Sequence, residues 1–188
     1  MSHRNSRISR AVAGIAVLSA FAAAPVVAQA ADTDADGTLS GGALTNTAPA
    51  ITPFTATLSG VAQNVSPVVG AWSVTDASGT NAGYTITASA SAPTVAGTTG
   101  GAGTGATISL TSPTATAAAG NAAATGPVST GAQLVTAGAV SIDTAAISTG
   151  QGQWNFAAAG AMTIVIPGNA SAGAYHSTLT YTASALAV

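Results

Sequence analysis

The sequence predicts an all-β protein: an antiparallel β-sandwich with long Gly/Ala/Thr-rich loops, behind a cleaved N-terminal signal helix. Three observations carry this. Apolar and hydroxyl side chains alternate over several short stretches, the period of a half-buried strand. Thr and Val are abundant, and branching at Cβ suits a pleated surface. The 22 Gly and 8 Pro argue against long helices.

The chain begins with a three-part export pattern. Its 3 basic side chains are Arg4, Arg7 and Arg10, all ahead of an apolar run from Ala11 to Ala24. The small-residue site Ala28-Gln29-Ala30 follows. The cations hold the N-terminus on the cytoplasmic side, the apolar run enters the translocon, and small residues fit the peptidase. Residues 1–30 are therefore the expected signal peptide, with Ala31 as the new N-terminus. The remainder, 31–188, suits one domain with a real core. The apolar run of the signal is short for a permanent anchor, and no later segment has the ~18 consecutive apolar residues of a spanning helix.

Export leaves a chain with 5 Asp and no Lys, Arg or Glu. Nucleic-acid binding needs cations to displace phosphate counterions, and none remain. Polybasic attraction to anionic lipid is excluded for the same reason. Cysteine is absent, so packing alone holds the exported domain. A small eukaryotic secreted domain would often carry disulfides, which points to bacterial export.

In chain order, residues 31–50 form an acidic, turn-rich stretch expected to be a flexible extension. Residues 51–188 are expected to form the single sandwich domain. Phe54, Ala56 and Leu58 alternate with Thr55, Thr57 and Ser59, as a strand would. Trp72 and Val74 alternate with Ser73 and Thr75, and Asp76-Ala77-Ser78-Gly79 reads as a turn. Tyr84, Ile86 and Ala88 alternate with Thr85, Thr87 and Ser89. Residues 91–131 read as long loops, with one short strand at Ile108-Ser109-Leu110. The glycine run Gly100 to Gly105 lacks the Gly-Lys-Ser/Thr ending of a phosphate loop. Ala115 to Ala124 has no amphipathic stripe and is not a helix. Gln133 to Val140, Gln153 to Phe156 and Met162 to Ile166 are further strands. Ala174 to Ala185 alternates strictly, with Tyr175, Ser177, Leu179, Tyr181 and Ala183 on one face.

Few constellations carry chemistry. Asp32-Thr33-Asp34-Ala35-Asp36-Gly37 begins like a calcium loop. Its twelfth position is Ala43 rather than a carboxylate, and flanking helices are lacking. Asp32, Asp34 and Asp36 alone would hold calcium weakly; otherwise they make an acidic, soluble terminus. No other cofactor is expected. His176 with Ser177 and either Asp76 or Asp143 makes a triad only on paper, because no nucleophile elbow accompanies it. One His with scattered Asp does not supply a zinc site. No enzymatic activity is expected. Trp72, Trp154, Tyr84, Tyr175 and Tyr181 are expected mainly in the core, or else as stacking platforms for sugar rings. The Thr/Ser ladders offer flat hydroxyl surfaces of the kind that bind glycan, or are simply solvated faces. Outer faces without Lys or Glu lack the usual defence against edge pairing, so self-association is a further expectation.

Two segments resemble the signatures of WxL-domain proteins. Val74 to Ser89, with Asp76-Ala77-Ser78-Gly79 and Gly83-Tyr84-Thr85-Ile86, is similar to the "D-x-x-G … G-W-x-L" strand in the middle of that domain. Ile166 to Ala183, with Pro167, Gly173-Ala174-Tyr175 and Thr178-Leu179-Thr180-Tyr181-Thr182-Ala183, is similar to the closing "T-L-T-W-x-L" strand. Tyr84 and Ile86, and Tyr181 and Ala183, stand at the Trp-x-Leu positions, so neither motif is literal. The resemblance implies a secreted bacterial surface protein without enzymatic activity, retained non-covalently on the cell wall through peptidoglycan or beside other surface proteins. Those four positions are either core or wall contacts. No Leu-Pro-x-Thr-Gly sorting signal and no lipobox Cys are present, which leaves covalent anchoring unsupported. The alternative is a self-assembling structural subunit of a fibre, pilus, coat or extracellular matrix.

Overall fold

Alternating apolar and hydroxyl side chains become paired strands in a computed structural model that describes residues 37–95, 105–122, 125–158 and 162–187. The expected signal peptide, the acidic cluster Asp32, Asp34 and Asp36, and the glycines Gly100 to Gly103 lie outside the described residues. The strands are β1 (Leu44–Asn46), β2 (Gln63–Val65), β3 (Trp72–Asp76), β4 (Tyr84–Ala90), β5 (Thr94–Val95), β6 (Thr107–Leu110) and β7 (Ala115–Ala117). They continue with β8 (Val128–Ser129), β9 (Gln133–Leu134), β10 (Val140–Ala145), β11 (Gly152–Phe156), β12 (Met162–Ile166), β13 (Tyr175–His176) and β14 (Leu179–Ala185). A single 3-10 turn, Val135–Ala137, is the one helical element among the described residues.

Three sheets of four strands run in the orders β1-β3-β11-β7, β14-β4-β10-β8 and β2-β12-β6-β9, and β13 pairs with β5. Every pairing is antiparallel. The inner faces of the three larger sheets share one core: Trp72, Val74, Trp154 and Phe156 from the first, Tyr84, Ile86 and Ile142 from the second, Ile108, Leu110 and Ile164 from the third. This is the expected all-β sandwich, and the residues 39–188 make one compact unit.

The alternation of Trp72–Asp76 and of Tyr84–Ala90 appears directly as alternating burial. Several local expectations differ, among them the strand Ala174 to Ala185, which divides into β13 and β14 in separate sheets. Phe54, Ala56 and Leu58 alternate, yet residues 52–59 join no ladder and all three are exposed. Residues 91–131 hold short strands besides β6, namely β5, β7 and β8, each bonded to a longer neighbour. The stretch from Gln133 to Val140 is broken by the 3-10 turn, which buries Val135. Within residues 31–50, Leu44–Asn46 pair with β3 as an edge strand.

One irregularity matters for the site. The β10–β4 register shifts between Ser141 and Asp143. A bulge sets two residues of one strand against one of its partner. Ile142 and Asp143 are consequently both buried, although they are neighbours in sequence.

Candidate functional site

The second sheet brings the two signature segments side by side. Strand β4 pairs with β14 over seven residues, with Ile86 opposite Ala183, Ala88 opposite Tyr181 and Tyr84 opposite Ala185. Tyr84 and Ile86 are fully buried, while Tyr181 and Ala183 are partly buried and pack against the core. All four side chains face inward, as the period of two requires.

The turn before β4 accounts for the Asp and Gly positions of the first signature segment. Asp76 Oδ1 accepts from the Ser78 backbone N–H at 3.0 Å and from Ser78 Oγ at 2.6 Å, closing an Asx-type turn. Gly79 follows with a φ of 70°. Gly83, immediately before Tyr84, has a φ of 75°. A Cβ on Gly83 would lie 2.6 Å from the Ala146 oxygen and closer still to that of Ala145. The Gly83 carbonyl also accepts from Leu186 N at 3.1 Å. Gly83 thus lets the ends of β10 and β14 close on the start of β4.

Aromatic packing ties this sheet to the first. Trp72 and Phe156, cross-strand partners, stack with ring centroids 3.7 Å apart and planes 4° from parallel. Tyr181 leans on Trp72 with centroids 5.6 Å apart. Trp154 Nε1 donates to the carbonyls of Gly150 and Gln151, at 3.0 Å each. At Gly126, any Cβ would strike the Trp154 ring at 2.5 Å. The small cleft lined by Val69, Trp72, Leu110, Ser112, Ile142 and Tyr181 is almost closed.

Against this apolar layer lies an unusual polar pair. Asp143 is wholly buried, and neither carboxyl oxygen has a hydrogen-bond partner. Tyr84 Oη is buried without a partner as well. Burial pushes the Asp143 carboxyl up to about 7. Ser112 lowers it somewhat, but its hydroxyl is turned to the Pro113 carbonyl at 3.4 Å. Burial, with a further push from Asp143, raises Tyr181 to about 12. Burial also raises Tyr84, with Asp76 and then Asp143 adding to it. Sequence reasoning gave Asp143 only a paper role in a triad. The signal that could have singled it out is a carboxylate inside an otherwise apolar and hydroxyl strand.

The other candidates are not brought together. His176 is exposed on β13, whereas Asp76 and Asp143 are buried. The Asp76 carboxylate is engaged by Ser78. Asp32, Asp34 and Asp36 lie outside the described residues. Among the described residues no three His, Cys, Asp or Glu side chains gather as metal ligands, and no helix is long and apolar enough to cross a membrane.

No curated protein and no solved structure matches the chain. The family model for the WxL domain, described as surface and cell wall-binding, matches residues 26–186. The matched region contains every strand of the three sheets and both inward-facing signature segments. This chain belongs to the WxL family of surface, cell wall-binding domains.

Proposed function

We propose that the chain is an exported bacterial surface protein that binds peptidoglycan non-covalently and has no enzymatic activity. The observation that carries this is the family match over residues 26–186, which takes in the whole folded core. The charge pattern supports export, with all 3 basic residues ahead of the apolar run. The lack of Lys, Glu and Cys supports a binding rather than a catalytic role.

On this reading Tyr84, Ile86, Tyr181 and Ala183 act through packing. Tyr84 and Ile86 have no exposed surface to offer a polymer. They fix the β4–β14 pair, and the outer faces of the sheets are left to meet the wall.

A second reading, self-assembly, is favoured by one observation. Strand β14 is the outermost of its sheet, seven residues long, and carries no Lys, Pro or bulge. Asn46 Nδ2, donating to Tyr181 O at 3.4 Å, occupies one of its carbonyls.

Sedimentation of the exported protein with and without purified Gram-positive wall separates the two. Pelleting only with wall, and release by urea without wall lysis, is the expected result. Pelleting alone as filaments would replace wall binding with self-assembly. Remaining in the supernatant both times would remove both.

A further inference from the structure

Resting on the wall-binding reading, we propose that the outer face of the β1-β3-β11-β7 sheet is the surface that holds the wall. Its ligand is the uncharged glycan strand of peptidoglycan, not an anionic wall polymer or the stem peptides.

Two polar rows cross this face. In one, Thr47 N donates to Ser73 O at 2.9 Å, Ser73 pairs with Asn155, and Asn155 with Thr116. In the other, Thr45 pairs with Thr75, and Thr75 with Gln153. The first row floors an open depression of about 410 Å³, which the stacked Trp72 and Phe156 support from beneath. Asn155 and Gln153 are exposed. Their side-chain amides make no hydrogen bond among the described residues, so each offers a donor and an acceptor to solvent. The hydroxyl of Thr116 is turned back to the Asn155 carbonyl at 3.1 Å, and Thr47 Oγ1 accepts from Ser73 N at 2.8 Å. The two amides are therefore free groups of the face, as are the hydroxyls of Thr45 and Thr75, which make no hydrogen bond among the described residues.

Charge selects the polymer. After Arg10 the sequence has no Lys or Arg. Two of its acids, Asp76 and Asp143, are buried. A phosphate-rich polymer is held by Arg and Lys, and the face has neither. Stem-peptide carboxylates and amines would likewise find no counter-charge. Sugar hydroxyl and acetamido groups need only neutral donors and acceptors, which amide and hydroxyl side chains supply. Neighbouring strands stand ~4.8 Å apart, close to the rise of one pyranose unit along a glycan strand. The second row, Thr45, Thr75 and Gln153, thus offers a group to each successive ring.

The test uses the exported protein, purified, with three probes: intact sacculi, glycan strands freed of stem peptides by an amidase and with the exposed muramyl carboxyls recapped as neutral methylamides, and teichoic acid alone. Binding to sacculi and to free glycan but not to teichoic acid is expected. The double variant Gln153→Ala with Asn155→Ala should bind free glycan at least tenfold more weakly, with an unchanged melting temperature. Thr182→Ala with Ser184→Ala, exposed on β14, should bind as the parent does. Should the first double variant lose its fold, Asn155→Asp serves as a near-isosteric second variant with the same expectation. Binding to sacculi without binding to free glycan overturns the glycan proposal and leaves wall binding standing. Full binding by folded Gln153 and Asn155 variants overturns the choice of face. No binding to sacculi overturns both the proposal and the reading beneath it.

Discussion

Ile86 and Ala183 face each other across the β4–β14 pair, one fully buried and the other packed half-buried against the same core. The two WxL signature segments are thus one structural unit, a pair of strands whose inward side chains close the sandwich. A large residue stands opposite a small one, so the pair fills its layer without crowding.

Shortening Ile86 tests whether this pair is packing. Ile86→Ala should destabilise the domain by about 2–5 kcal/mol, the range for a buried large-to-small change. Wall binding per folded molecule should stay at the parent level at a temperature where the variant is folded. Urea unfolding gives the first quantity and a sedimentation assay the second. A variant of parental stability that no longer binds wall would assign Ile86 to contact instead.

Asp143 sets a pH dependence whose sign is unusual for a carboxyl. Its folded value of about 7 stands above the ordinary 3.8. Between these values the folded protein holds a proton that the unfolded chain has released. Stability is therefore full below pH ~4, falls as pH rises towards ~7 by up to about 4 kcal/mol, and is level above that. Tyr84 and Tyr181, whose own values Asp143 helps to raise, both stay protonated through this window. Asp143→Asn should remove the slope and raise the melting temperature at pH 8. Equal slopes for parent and variant between pH 4 and 7 would show that Asp143 is not the source.

Tyr84 carries a hydroxyl that finds no partner in the core. Replacing a lone buried hydroxyl by hydrogen relieves its desolvation cost. Tyr84→Phe should leave stability unchanged or raise it by about 1 kcal/mol. A loss above that would mean the hydroxyl is engaged, for example by an internal water. Chemical denaturation at pH 6, where Asp143 is mostly protonated, is the appropriate measurement.

How far the sequence reveals this fold depends on what each element needs. Trp72–Asp76 and Tyr84–Ala90 are legible because alternation and burial coincide in them, and Met162–Ile166 because it is a compact apolar run stopped by Pro167-Gly168. Phe54 to Leu58 shows the same alternation, yet it has no partner strand, and a strand requires one. Short pieces such as Ala115–Ala117 depend on a neighbour, here β11, and carry no signal of their own. The face proposed to hold glycan is legible as Thr/Ser alternation. Its two free amides, Gln153 and Asn155, share that face by the period of two along β11, but their alignment with Thr75 and Ser73 needs the β3–β11 register, which no local pattern encodes. The burial of Asp143 is illegible for the same reason: a bulge, not the period, turns it inward.

Two glycines of the first signature segment separate conformational strain from steric exclusion. Gly79 and Gly83 have nearly the same positive φ, 70° and 75°. A Cβ on Gly79 would meet nothing within 4 Å, so Gly79→Ala carries only the left-handed penalty, about 1–2 kcal/mol. Gly83→Ala carries that penalty too, and its Cβ also meets the carbonyl oxygens of Ala145 and Ala146. Those carbonyls end the β10 strand and cannot give way without breaking the sheet beside Tyr84. Gly83→Ala should therefore cost well over ~2 kcal/mol, or prevent folding, while Gly79→Ala folds with a modest loss. Paired urea titrations decide it. Similar losses at the two positions would mean that the start of β4 can shift, and that the closure of β10 and β14 around Gly83 is looser than its geometry implies.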